Sequence, residues 1–186
     1  MNLQRFDGLM KSDHPPTQTM LEWRCFLEFI DAYFKNRSVL NPIVVEIGTA
    51  NTPQRPFYQE LLGGEHIGID WAPDFADIVG DSHSQETVEK LETRLAGRLI
   101  DLLFIDGDHS YEGVKMDYEL YEPFVKHLIA FHDIYATPPA TDIPRFWNEI
   151  IDKEKNYPMI MFKSYNREPW LYTAGLMGIG LIIKET

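Results

Sequence analysis

Apolar positions between residues 19 and 36 recur at helical spacing. Trp23, Phe26, Leu27, Ile30 and Phe34 fall along one side. Thr19-Met20-Leu21-Glu22 ahead of them has the spacing of a capping box, so the pattern predicts an N-terminal helix within 17–36. Residues 1–16, of mixed polarity and ending in His14-Pro15-Pro16, read as an arm. After Asn41-Pro42 the period changes. Ile43–Ile47 is a short β-branched run closed by Gly48, the pattern of a buried parallel strand. A helix over 54–62 follows, then strands at His66–Ile69, ending on Asp70, and at Ala76–Val79, ending on Gly80-Asp81. Ser82-His83-Ser84-Gln85 can cap a helix that carries Val88, Leu91 and Leu95. Leu99–Ile105 is the clearest strand, interrupted only by Asp101. A helix from about Glu112 to Lys126 presents Val114, Tyr118, Tyr121 and Val125, and a strand at Leu128–Phe131 ends on His132-Asp133. Asp142 stands where it can cap a helix carrying Phe146, Trp147, Ile150 and Ile151. Met159–Lys163 and Leu176–Ile183 are close enough to form an antiparallel pair.

Strand and helix alternate, which predicts an α/β fold: a doubly wound, Rossmann-like, mostly parallel seven-stranded sheet with helices on both faces and an antiparallel C-terminal strand pair. At 186 residues, one domain over 1–186 is expected, with its α/β core at 43–186. In such sheets ligands bind outside the carboxyl ends of the strands. Nearly every strand of this chain ends there in an acid, namely Asp70, Asp81, Asp106 with Asp108, and Asp133.

A formal net charge of −12 repels phosphate backbones and anionic lipid, so neither nucleic acid nor a membrane surface is an expected partner. The one cysteine, Cys25, can form no internal disulfide. It lies in the apolar helical pattern and reads as a small core residue. With no apolar run of membrane-spanning length and no signal-peptide pattern at the N-terminus, the cytoplasm is the expected location.

The strand ends carry the candidate chemistry. Gly48 allows a tight turn and close approach of a ligand, or is an ordinary turn glycine. Asp70, about 20 residues on, suits the two hydroxyls of a ribose. Asp81 and Ser82 suit either helix capping or an adenine edge. In Asp106-Gly107-Asp108-His109-Ser110-Tyr111 three ionisable groups follow an apolar strand directly, which capping alone does not explain. Carboxylates suit a divalent ion, and histidine suits general-base work near neutral pH. His132 and Asp133 would lie beside Asp106 across the sheet. They either complete a site for Mg²⁺ or Mn²⁺ or form a hydrogen-bonded network that closes the pocket floor. His66 and His127 precede their strands and read as structural or solvated.

Taken in order, VVEIGTA, GID, VGDSHS, DLLFIDGDHSYEGVKMDYELY and LIAFHDI resemble the class I S-adenosylmethionine-dependent methyltransferases. The likeness is to the branch of small O-methyltransferases with an IDGDHSY strand end, and the closing GLMGIGLI is similar to that family's last strand. The resemblance implies S-adenosylmethionine as cofactor and a small-molecule hydroxyl as methyl acceptor. It places Glu46, Gly48 and Thr49 on the methionine and ribose side, Asp70 at the ribose, and Asp81 and Ser82 at the adenine. Asp106, lining the same site, is with His132 and Asp133 a ligand to any metal, and His109 is the base, with Asp108 as the other candidate. The chain departs from the family in three places. The loop Thr-Ala-Asn-Thr-Pro after Gly48 lacks further glycines, Val125-Lys126-His127-Leu128 lacks the usual Gly-Gly, and His132 stands where many metal-dependent relatives carry a carboxylate.

The expected reaction is an in-line displacement on the sulfonium methyl group, in which the protein aligns the nucleophile and removes its proton. Two other readings compete. Asp106-Gly107-Asp108 is a D-x-D pattern of the kind that holds a metal and a nucleotide sugar in glycosyltransferases. The glycine-poor loop would suit a non-catalytic binding protein on a methyltransferase fold. The acceptor pocket is expected from the arm, the loop Tyr135–Thr141 and the region around Trp170.

Overall fold

The computed structural model describes residues 1–12, 15–16, 18–50, 54–135, 141–163 and 177–184. Most of the loop expected at 135–141 and the region around Trp170 lie outside them. In chain order come helices α1 (Leu3–Met10) and α2 (Met20–Asn36), strand β1 (Ile43–Ile47), helix α3 (Arg55–Leu62) and strand β2 (Glu65–Asp70). There follow β3 (Ile78–Val79), α4 (Gln85–Leu95), β4 (Ile100–Ile105), α5 (Tyr111–Tyr121), β5 (Val125–Phe131), α6 (Ile143–Lys153), β6 (Met159–Phe162) and β7 (Ile179–Ile183). The strands form one seven-stranded sheet in the order β3-β2-β1-β4-β5-β7-β6. The pairs among β1 to β5 are parallel, and β7 is antiparallel to both neighbours. This is the expected architecture.

Strand pleating splits the apolar residues between two cores. Val44, Leu102, Phe104, Leu128 and Leu181 face one way and pack with Phe6, Trp23, Phe26, Phe57 and Tyr58 of α1 to α3. Val45, Ile47, Leu103, Ile105 and Ile129 face the other way and pack with Leu91, Val114, Tyr118 and Trp147 of α4 to α6. Full burial of each large apolar side chain contributes about 1.5–3 kcal/mol, so both layers are held firmly.

Local capping fixes the helix starts. The Thr19, Ser84 and Ser110 side chains accept from Glu22 N, Thr87 N and Gly113 N. Asp142 makes no cap bond through its side chain, and Thr141 Oγ1 accepts from Ile143 N instead. Asp101, the polar break in β4, accepts the Ile43 N–H at 2.7 Å and so sets the start of β1.

Several boundaries differ from the sequence pattern. The N-terminal arm contains α1, capped by Asn2 and held by burial of Phe6 and Leu9. Helix α5 stops at Tyr121, because Pro123 turns residues Glu122–Phe124 into a 3-10 turn, and β5 therefore begins at Val125. Cys25 lies on the exposed side of α2 and is not a core residue. Among the described residues no helix is long and apolar enough to cross a membrane.

Candidate functional site

Strands β1, β2, β3 and β4 end along one side of a cleft of about 840 Å³. Gly48, Asp70, Asp81, Ser82, Asp106, Asp108 and His109 all line it. The sheet order brings these residues together from four segments of the chain.

Gly48 sits where β1 turns out of the sheet, at φ +86°. A Cβ there would run into the backbone of Asp106 and Gly107. Two residues on, Ala50 takes φ 43°, a left-handed conformation usual for glycine. Its N–H donates to Asp70 Oδ2 at 2.8 Å, while Asp70 Oδ1 accepts from Ala72 N at 2.8 Å. Asp70 thus ties the loops after β1 and β2 together, and each of its oxygens keeps a lone pair for a ligand. Trp71 beside it is 85% exposed and also lines the cleft.

Glu46 and Thr49 are set back from the cleft and do not line it. Glu46 Oε2 lies 2.6 Å from His66 Nε2, both groups are buried, and the imidazole stacks on Tyr58 at 5.3 Å. Burial raises the Glu46 carboxyl against the pull of His66. His66 lies within β2 and not ahead of it, and its buried pairing with Glu46 is the structural one of the two roles expected for it. His127 Nε2 lies 3.8 Å from Asp101 Oδ1.

The other end of the cleft is a chain of charge. His132 is buried, with Nδ1 3.1 Å from Asp106 Oδ1 and Nε2 3.3 Å from Glu22 Oε1. Glu22 Oε2 accepts from Gly178 N at 2.9 Å, and Gln18 Nε2 donates to Asp106 Oδ2 at 3.1 Å. Burial opposes charge on His132, but Asp106 and then Glu22 outweigh it and hold the ring protonated well above the ordinary imidazole range. Burial likewise opposes charge on Asp106, yet His132 and His109 hold its carboxyl below the usual range. His109 is raised chiefly by Asp106, whose Oδ1 is 3.4 Å from Nε2. Burial raises Asp133, which reaches within 3.7 Å of His109 Nδ1 from a left-handed backbone at φ 58°.

Among the described residues, those that can converge on a cation are Asp106, His109 and Asp133, whose ligand atoms lie within 4.8 Å of one another. His132 is turned inward and does not join them. Of the two readings open for His132 in the sequence, the geometry is that of the hydrogen-bonded floor. Two carboxylates and an imidazole form a donor set that fits Mg²⁺ or Mn²⁺. Asp108 Oδ1 accepts from Ser110 N at 2.8 Å. Asp81 Oδ1 accepts from His83 N at 2.9 Å, and Ser82 is held through its carbonyl, which accepts from Tyr121 Oη at 2.8 Å. Sequence reasoning passed over Gln18, Glu22, His83 and Asp117. Glu22 was visible only as a capping-box member. Asp117 carried a signal, an acid inside the apolar face of α5.

Residues 59–134 match the family model of a methyltransferase domain. No curated protein matches the sequence. Among solved structures, the chain is similar to an O-methyltransferase from Bacillus cereus in complex with SAH, at 14% identity and TM-score 0.52, covering 98% of this chain and 88% of that one. It is also similar to the MycE methyltransferase of the mycinamycin biosynthetic pathway, in complex with Mg, SAH and mycinamycin VI, at 16% identity and TM-score 0.60. That match covers 96% of this chain and 52% of the other, so the chain spans about half the length of MycE. A third is magnesium protoporphyrin IX methyltransferase from Synechocystis PCC 6803 with bound SAH, at 10% identity, TM-score 0.51 and coverage of 98% and 94%. At these identities the likeness is one of fold.

Proposed function

We propose that this chain is an S-adenosylmethionine-dependent methyltransferase, a reading supported by the domain match over 59–134 and by the fold, and that it transfers the methyl group to a hydroxyl oxygen of a small molecule. The observation that carries the reading is the convergence in one cleft of a ribose-type acid, Asp70, and a close-approach glycine, Gly48, with the proton-handling pair Asp106 and His109. We read 1–186 as one domain acting in the cytoplasm. Gly48 and Asp70 hold the methionine and ribose parts of the cofactor, and Asp81 and Ser82 border its base. Glu46 and Thr49 shape the wall from behind.

His109, oriented by Asp106 and Asp133, takes the proton from the acceptor hydroxyl as the methyl group transfers. The rest of the rate comes from holding oxygen and methyl carbon in line. A divalent ion, where bound, would sit on Asp106, His109 and Asp133 and lower the pKa of the acceptor hydroxyl. With His109 so engaged, Asp108 is the group left to accept the proton.

The experiment is calorimetry with S-adenosylhomocysteine (SAH) and with UDP, each with and without Mg²⁺, followed by Asp106→Ala and His109→Ala in a methyl-transfer assay over a panel of hydroxyl compounds. Binding of SAH and loss of turnover in both variants are expected. Binding of UDP in place of SAH would establish the D-x-D glycosyltransferase reading, and binding of neither would refute both.

A further inference from the structure

Gln18 is a buried polar side chain to which the chemistry above gives no task. It stands one residue ahead of Thr19, the N-cap of α2, outside every strand-end motif, and is 3% exposed. Its Nε2 donates to Asp106 Oδ2 at 3.1 Å. Its Oε1 is buried and accepts from no group among the described residues. A buried acceptor left without a partner costs about as much stability as one hydrogen bond to a charged group returns. As a brace for the fold, Gln18 therefore contributes little. An apolar side chain of the same length would fill the space without that cost.

What Gln18 does set is the plane of the Asp106 carboxylate. Asp106 Oδ1 lies 3.1 Å from His132 Nδ1 and 3.4 Å from His109 Nε2, so one oxygen serves two imidazoles. His132 is fixed, being buried with its Nε2 3.3 Å from Glu22 Oε1. His109 is not, for its side chain is 38% exposed. The outer torsion of an aspartate is broad, so a single contact on Oδ1 leaves the carboxylate room to swing and to lose its aim at His109. Gln18, on Oδ2, is the second fixed point. The start of α2 thus reaches Asp106 twice, directly through Gln18 and through Glu22 by way of His132.

We infer that Gln18 is a positioning residue for methyl transfer, which holds the carboxylate plane of Asp106 so that Oδ1 stays aimed at His109. This inference rests on the reading of Asp106 and His109 as the proton-handling pair.

The test is Gln18→Met, which keeps the length of the side chain and removes both the donor and the unpaired acceptor. Asp106 lines the cleft, so water can take the place of the amide on Oδ2. Parent, Gln18→Met and His109→Ala are compared in three measurements: thermal melts, calorimetry with SAH, and methyl transfer to a panel of hydroxyl compounds. The panel includes a phenol acidic enough to be ionised at the assay pH. On the un-ionised hydroxyls, kcat of Gln18→Met is expected to fall by about ten- to a hundredfold, the order seen when an outer partner of a site residue is lost. The acceptor KM and the SAH affinity should stay within about twofold of the parent, as for a contact that matters only in the transition state. On the ionised phenol, which has no proton to give up, the loss should nearly vanish. A Gln18→Met chain that melts well below the parent, or loses SAH affinity in step with kcat, would make Gln18 a brace and overturn the inference. An equal loss on ionised and un-ionised acceptors would overturn it too. Parent-like kcat in Gln18→Met beside an inactive His109→Ala overturns it while leaving the proton-handling pair standing. Full activity in His109→Ala, or a parent that methylates none of the panel, overturns both.

Discussion

Asp117→Asn offers a quantitative check on the buried face of α5. Burial raises the Asp117 carboxyl from its ordinary 3.8 to about 6, while the Ser82 hydroxyl and His83 pull the other way and Asp108 and Asp81 add to the rise. Folding then favours the protonated acid. The stability this provides is complete below the unfolded value near 3.8 and is lost as the pH rises through about 6. The gap between the two values is worth about 3 kcal/mol once the group is ionised in both states. Asparagine is neutral throughout, so the variant should be more stable than the parent by roughly 3 kcal/mol near pH 7.5. By the same linkage the advantage falls to ~1 kcal/mol near pH 4.5. For a chain of this length that is roughly 6–12 °C in Tm at the higher pH. Paired urea melts of parent and variant across this range cancel every other titrating group. A variant no more stable than the parent near pH 7.5, or one with the same advantage at both ends, would refute the account.

Two further outcomes follow from the site. Glu22→Leu removes the acceptor of both His132 Nε2 and the Gly178 amide. Breaking a buried pair of this kind costs about 3–5 kcal/mol, and a thermal melt within 2 °C of the parent would show that the link is not made. Combining it with His132→Leu should cost less than the sum of the two single changes, with a coupling of roughly 0.5–3 kcal/mol. Trp71→Ala, at a side chain 85% exposed, should leave Tm almost unchanged but weaken SAH by about three- to tenfold, the order of one aromatic stacking contact. Unaltered affinity would show that Trp71, though it lines the cleft, does not stack on the ligand.

The sheet was legible because its information is local. Each buried run declares itself by composition, and each strand end by the acid or glycine that follows it. Ser84 and Ser110 announce their helices for the same reason. Where local pattern misled, a backbone effect was at work: Pro123 ended α5 at Tyr121, four residues before its apolar periodicity ended at Val125. The loop after Gly48 looked too poor in glycine for close backbone approach. Ala50 nevertheless adopts the left-handed conformation, and Asp70 pins its N–H. The acid read as a ligand group also shapes the backbone on which the ligand would rest.

The floor of the site was illegible for a different reason. Thr19-Met20-Leu21-Glu22 predicts that Glu22 turns back toward its own helix start. Its carboxylate instead meets His132 and Gly178, more than a hundred residues away. No spacing rule encodes that choice. It follows from Trp23, Phe26 and Phe104 packing α2 across the ends of β4 and β5, which carries the first turn of α2 over Asp106. His132 then has carboxylates on both sides and is held as a cation. The positive charge on the floor is therefore supplied by the protein itself, and it keeps Asp106 ionised beside His109. A neutral His132 would raise the Asp106 carboxyl and weaken its hold on His109. The proton-accepting group of the cleft thus depends on the packing of a helix that contributes nothing to the strand-end motifs.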